Sequence, residues 1–124
     1  MDPQSNINKL VNFFFTLELN LKIYHWNTNS FPRHKASDEL GGKILELTDK
    51  FVEIFIGRYK VKPNIERVKI ENIFTTDNGN VDLLNQSIQF LEDMNHYIKD
   101  SDLLNIRDEM LGEINKTLYL YRLK

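Results

Sequence analysis

The chain has 124 residues, 41% of them hydrophobic and 27% charged, with a formal net charge of −2, the balance of one globular domain around one core. It contains no cysteine, which excludes disulfides, thiol nucleophiles and thiolate metal sites, so any metal must be held by His, Asp or Glu. The near-neutral charge gives no general attraction to nucleic acid or to an anionic membrane, and neither is expected as a partner.

Met1-Asp2-Pro3-Gln4-Ser5 is neither a signal peptide nor a basic arm, and no apolar run is long enough to span a bilayer. The first helix is predicted from about Ser5 to Tyr24, with Ser5 or Asn6 as its cap. Its interior, Leu10 to Leu17, is apolar nearly all round and expects partners on several sides.

A second helix is predicted from Pro32, suited to the first helical position, to a stop at Gly57. A long connection follows, Arg58 to Asn80, with Pro63 and a β-prone Val68-Lys69-Ile70. A connection of that length usually crosses a bundle rather than turning back. A third helix is predicted over Val81 to Lys99. Asp100-Ser101-Asp102 reads as turn and cap, and a fourth helix runs from there to the end. The expectation is one all-α domain over residues 1–124, a four-helix bundle with the long central crossover of the ferritin-like variant.

The second helix carries the informative pattern. With His34 at zero and about 100° per residue, Leu40, Ile44, Leu47, Phe51, Ile54 and Phe55 form a core stripe, and Lys35, Glu39, Lys43, Glu46 and Lys50 a solvated face. A third face holds His34, Asp38, Asp49 and Glu53, within about 100° of one another. His34/Asp38 and Asp49/Glu53 are each i,i+4 pairs whose side chains can converge. The two pairs stand roughly 22 Å apart along the helix and cannot share an ion within one chain. They can share one between two antiparallel copies related by a two-fold axis, which makes two equivalent sites. Gly41 and Gly42 sit near the middle, where such helices cross; two glycines inside a helix cost about 1 kcal/mol each, and close approach accounts for them. The plain alternative is a solvated charged face.

The segment from Tyr24-His25-Trp26-Asn27 to Glu53 resembles the iron-site region of the Dps family, the mini-ferritins that protect DNA during starvation. That family has a His-Trp-Asn at the end of its first helix, then a second His, an Asp four residues on, another Asp eleven later and a Glu four further. Those positions here are His25, His34, Asp38, Asp49 and Glu53. The His25–His34 spacing is shorter than is usual in the family, and Ile54 stands where an Arg commonly follows the Glu.

The resemblance implies a ferritin-like bundle that binds iron(II) and oxidises it, usually with hydrogen peroxide. Three ligands then come from one subunit and two from its mate, in a homodimer or a larger shell. Zinc or manganese at the same ligands is the variant expectation. Trp26, beside His25, is placed to intercept a radical or to serve as a core or interface aromatic. Composition is also similar to that of ferritin-like proteins of large DNA viruses, so the expected location is the cytoplasm or a virion, without secretion. The competing expectation is a structural or interaction protein, such as a virion component, that keeps the fold without the chemistry.

Other groupings carry less. Glu92 or Asp93 with His96, and Glu109 with Glu113, make only partial intrachain di-iron patterns and read as surface residues. There is no Gly-x-Ser-x-Gly elbow and no phosphate-binding glycine loop.

Overall fold

The structure, a computed structural model, describes residues 2–123. It is all-helical, with no strand among the described residues. Four helices, α1 (Pro3–Asn27), α2 (Phe31–Tyr59), α3 (Asp77–Asp93) and α4 (Ser101–Leu120), are joined by short 3-10 turns at Asn72–Thr75 and Met94–His96. No described helix is long and apolar enough to cross a membrane.

The ends of the helices follow local hydrogen bonding. Asp2, rather than Ser5 or Asn6, caps α1 by accepting from the Ser5 amide at 2.8 Å. Ser30 caps α2, placing Pro32 at the second helical position. Gly57 does not stop α2. The helix continues to Tyr59 and ends at Lys60, whose left-handed backbone (φ 56°) lets its amide reach the Ile56 carbonyl. Helix α3 starts four residues earlier than expected, capped by Thr76. Gly79 in its first turn lies against the Ile73 carbonyl, so close that a Cβ there would overlap the oxygen. It ends at Asp93, short of Lys99. The buried Arg107 guanidinium donates to the Leu91 carbonyl at 2.8 Å and to Asn95 at 2.9 Å, satisfying that end from α4.

Thr28, Asn29 and Ser30 reverse the chain between α1 and α2. Helix α1 packs on α2 and α3, and α4 packs on α2 and α3. Asp77 at the start of α3 meets Tyr24 and Thr28 at the end of α1. Arg58 and Tyr59 at the end of α2 meet Asp100 at the start of α4. Each of these contacts fixes a direction: α3 runs against α1, and α4 against α2. The core holds Phe14, Phe51, Phe55, Leu10, Leu84, Leu91 and Ile114, all essentially inaccessible, each stabilising by about 1.5–3 kcal/mol. The expected α2 stripe is buried at Leu40, Ile44, Leu47, Phe51 and Phe55, with Ile54 half-buried.

Residues 60–71 form a strap with no helix or strand of its own. It runs the length of α1, held by side-chain amides. Gln4 donates to the Lys62 carbonyl at 2.8 Å and Asn12 to that of Arg67 at 2.6 Å, while Asn8 accepts from the Asn64 amide at 2.7 Å. Fully buried Asn20 donates to the Lys69 carbonyl at 3.1 Å and accepts from the Glu71 amide at 3.0 Å. Gln4, Asn8 and Asn12 recur on a four-residue spacing, with Asn20 eight residues on, so the amides follow one ridge that winds slowly round the helix. So α1 is not apolar all round: it carries these amides, and Phe15, Leu19 and Trp26 are exposed. The β-prone Val68-Lys69-Ile70 pairs with α1 side chains instead of a strand.

Asn20→Ala leaves the Lys69 carbonyl and the Glu71 amide without their partner. We expect a loss of about 1–3 kcal/mol in urea denaturation and faster hydrogen exchange at the Glu71 amide. An unchanged midpoint with unchanged exchange would show that the strap is held by something else.

Candidate metal centre

The end of α1 and the start of α2 bring His25 and His34 face to face. Their rings stack at 4.0 Å with planes 19° apart. Each Nδ1 lies 2.8 Å from the other residue's backbone carbonyl. A carbonyl only accepts, so each Nδ1 carries hydrogen, and in the neutral form of either ring the lone pair is on Nε2. That is the usual preparation of a metal-ligating imidazole, oriented by a carbonyl behind it.

Asp38, one turn beyond His34, joins them. Its Oδ1 lies 3.9 Å from His25 Nε2 and 3.7 Å from the Lys22 ammonium. His25 is mostly covered, at 12% side-chain exposure, while Asp38 is open at 59%. Asp49 and Glu53 are both exposed, farther along α2. They face each other, and hydrogen bonding and charge from Asp49 push the Glu53 carboxyl up from its ordinary value. The structure thus sets His25 beside both His34 and Asp38, and pairs Asp49 with Glu53 elsewhere on α2. Among the described residues, no three His, Asp or Glu side chains are close enough to hold one ion.

Trp26 is 68% exposed, with the Lys22 ammonium 6.0 Å from its ring centre. Gly42 is exposed and Gly41 half-buried, and a Cβ built at either meets nothing within 4 Å. The glycines line a groove of about 290 Å³ between α1 and α2 that leads to His25 and Asp38. Leu19, Leu45 and Glu18 also line it, and one Glu18 carboxylate oxygen is buried without a partner. Burial pushes the Glu18 carboxyl up. Glu92, Asp93, His96 and Glu109 are exposed, and half-buried Glu113 pairs with Lys116 at 3.6 Å.

The sequence reading missed what positions the two histidines. Their chain neighbours Tyr24 and Arg33 share the same nine-residue separation and form a second rung beside them. Arg33 donates to the Tyr24 hydroxyl at 3.1 Å, to the Asp77 carbonyl at 2.9 Å and to the Tyr121 carbonyl at 3.2 Å. Tyr24 donates to the Asp77 carboxylate at 2.7 Å, and Thr28 donates to the same oxygen at 2.9 Å. The Tyr24 hydroxyl holds the Asp77 carboxyl below its ordinary value, helped by Thr28 and Arg33. Burial pushes the Tyr24 and Tyr121 hydroxyls up. The repeated spacing, Tyr-His then Arg-His, was the available signal.

A family model described as a family of unknown function (DUF5856) matches residues 25–121. The match includes all five candidate ligands. No curated protein and no solved structure matches the chain.

The depressed Asp77 value has a consequence for acid stability. A carboxyl lowered on folding contributes stability above its unfolded value, about 3.9, and loses it as pH falls through the folded value. The gap between the urea midpoints of the wild type and Asp77→Asn is therefore expected to be widest near neutrality and to narrow below about pH 4. A gap of equal size at both pH values would mean that the charge is not what the knot uses.

Proposed function

This chain belongs to that family of unknown function, and we propose that it is a Dps-like ferroxidase that binds and oxidises iron(II) at two sites shared across a homodimer. The observation that carries the reading is the His25/His34 pair, with both Nδ1 atoms engaged and the His25 Nε2 atom 3.9 Å from Asp38. The helix order, two antiparallel hairpins joined by a strap held along α1 from Gln4 to Asn20, supports the ferritin-like reading, whose bundle has a long central crossover. Iron(II) is the substrate, and hydrogen peroxide is the oxidant, each molecule taking one electron from each of two iron(II) ions and, with two protons, leaving as two waters. Two imidazoles and carboxylate oxygens are a donor set that suits it, with zinc or manganese as the alternatives. Carboxylates favour the more highly charged iron(III) product over iron(II).

The separation of the two ligand groups along α2 makes a second copy necessary, supplying its Asp49 and Glu53 to the His25, His34 and Asp38 of the first. The exposed apolar residues Leu19 and Leu45, which both line the groove between α1 and α2, supply a surface for that copy. A second reading, a structural or interaction protein without chemistry, is favoured by the same apolar face, which a partner protein could also use.

Chain mixing tests the shared site. A His34→Ala/Asp38→Ala chain and an Asp49→Ala/Glu53→Ala chain should each be inactive as homodimers. Their heterodimer puts both damaged halves into one site and leaves the other whole, so about half the iron(II) oxidation rate per dimer should return. Heterodimers that form and stay inactive would rule out the sharing. A wild-type protein that neither binds nor oxidises iron would favour the structural reading.

Lys22 supplies a separate measurement. Its ammonium is the cation beside Asp38, so an incoming metal must displace it. Lys22→Met is expected to tighten anaerobic iron(II) binding severalfold, on the order of 1 kcal/mol for one exposed ion pair. Unchanged affinity would place Lys22 outside the site.

A further inference from the structure

We propose that α2 pairs antiparallel with α2 of a second copy in one particular register, with Leu45 of each copy seated in the Gly41–Gly42 notch of the other. The inference rests on the shared-site reading and fixes its interface residue by residue. If His34 of one copy faces Glu53 of its mate, and Asp38 faces Asp49, then facing residue numbers always total 87. That register follows from the ligands alone. It also sets Leu45 opposite Gly42 and Phe31 opposite Ile56.

None of those apolar residues entered the choice of register, yet each meets a fitting mate. Leu45 is 59% exposed in the middle of a helix, a costly place for an apolar side chain. Gly42 and Gly41 present open space, with the groove between α1 and α2 beside them. Phe31 is 70% exposed and Ile56 is half-buried. On a helical wheel Phe31, His34, Asp38, Gly42, Leu45, Asp49, Glu53 and Ile56 all fall within an arc of about 100°, the width of one contact face. Along that face, apolar contacts at the centre and both ends alternate with the two ligand clusters.

Slipping the pairing by one turn destroys the match. One direction sets Asp38 against Leu45; the other sets Gly42 against Asp49 and Leu45 against Glu46. The ligand clusters bring Asp38, Asp49 and Glu53 together from two chains, and like charges at close range repel unless a cation lies between them. Iron(II) therefore tightens the dimer, and the apolar contacts hold its register with or without metal.

Exchanging knob and notch is the test, read as the dimer dissociation constant by analytical ultracentrifugation with EDTA and again with anaerobic iron(II). Gly42→Leu sets leucine against leucine, and Leu45→Gly sets notch against notch. Each should weaken the dimer at least about tenfold. The double variant Gly42→Leu/Leu45→Gly rebuilds the same contact with the roles reversed, and should return to within about threefold of wild type, a coupling that distant sites do not show. A double variant as weak as the two single losses combined overturns the register. So do single variants that dimerise like wild type, or a wild-type chain that stays monomeric with and without iron(II). If the exchange restores the dimer while the protein fails to oxidise iron, the register stands and the ferroxidase reading falls.

Discussion

Asp77, through its carboxylate and its backbone carbonyl, ties the start of α3 to the end of α1 and the start of α2. It accepts the hydroxyls of Tyr24 and Thr28 from the end of α1. Arg33, from the start of α2, binds the Asp77 carbonyl, the Tyr24 hydroxyl and the Tyr121 carbonyl at the end of α4. Tyr121 is itself buried, donating to the fully buried Asn80 at 2.8 Å. Four chain segments thus meet through one acid, one base and two phenols, a network in which every member has a partner. His25 and His34 are the next residues along from two of its members, so this knot also fixes the rings of the candidate centre.

The opposite end of the molecule is tied by a simpler device. Arg58 and Tyr59, in the last turn of α2, converge on Asp100 at the start of α4. Asp100 was expected as a cap, but its side chain makes no capping bond; it is spent on α2 instead. Both phenol and guanidinium hold the Asp100 carboxyl below its ordinary value. The two ends differ in exposure. Tyr24 and Tyr121 are buried while Arg58 is 46% exposed, and the acids run the other way, with Asp77 exposed and the Asp100 side chain 13% exposed.

The helices and their buried stripes were legible because apolar periodicity is a local signal. Leu40, Ile44, Leu47, Phe51 and Phe55 announce themselves within one stretch of chain. Boundaries were less so, and for identifiable reasons. Gly57 carries the residue type of a stop, yet the left-handed turn falls at Lys60. The end of α3 is set by Arg107, a residue outside that helix. The amide stripe of α1 was present in the sequence, but its partners lie some fifty residues away, and periodicity of apolar residues cannot show what a polar stripe will bind. The α2 polar face was legible as a pattern. The reciprocal histidine bonds were not, since they depend on how the turn at Thr28, Asn29 and Ser30 closes.

The strap has a consequence for the order of assembly. Residues 60–71 draw backbone hydrogen-bond partners from the amide side chains of α1, and those amides line up only once α1 is helical. Before that, the strap is a loop whose closure brings entropy loss with little return. The first hairpin therefore forms from near neighbours in sequence and acts as a template. The connecting segment can be laid along it only afterwards, on a helix that already exists. Folding from the amino-terminal side suits a chain that emerges in that order during synthesis.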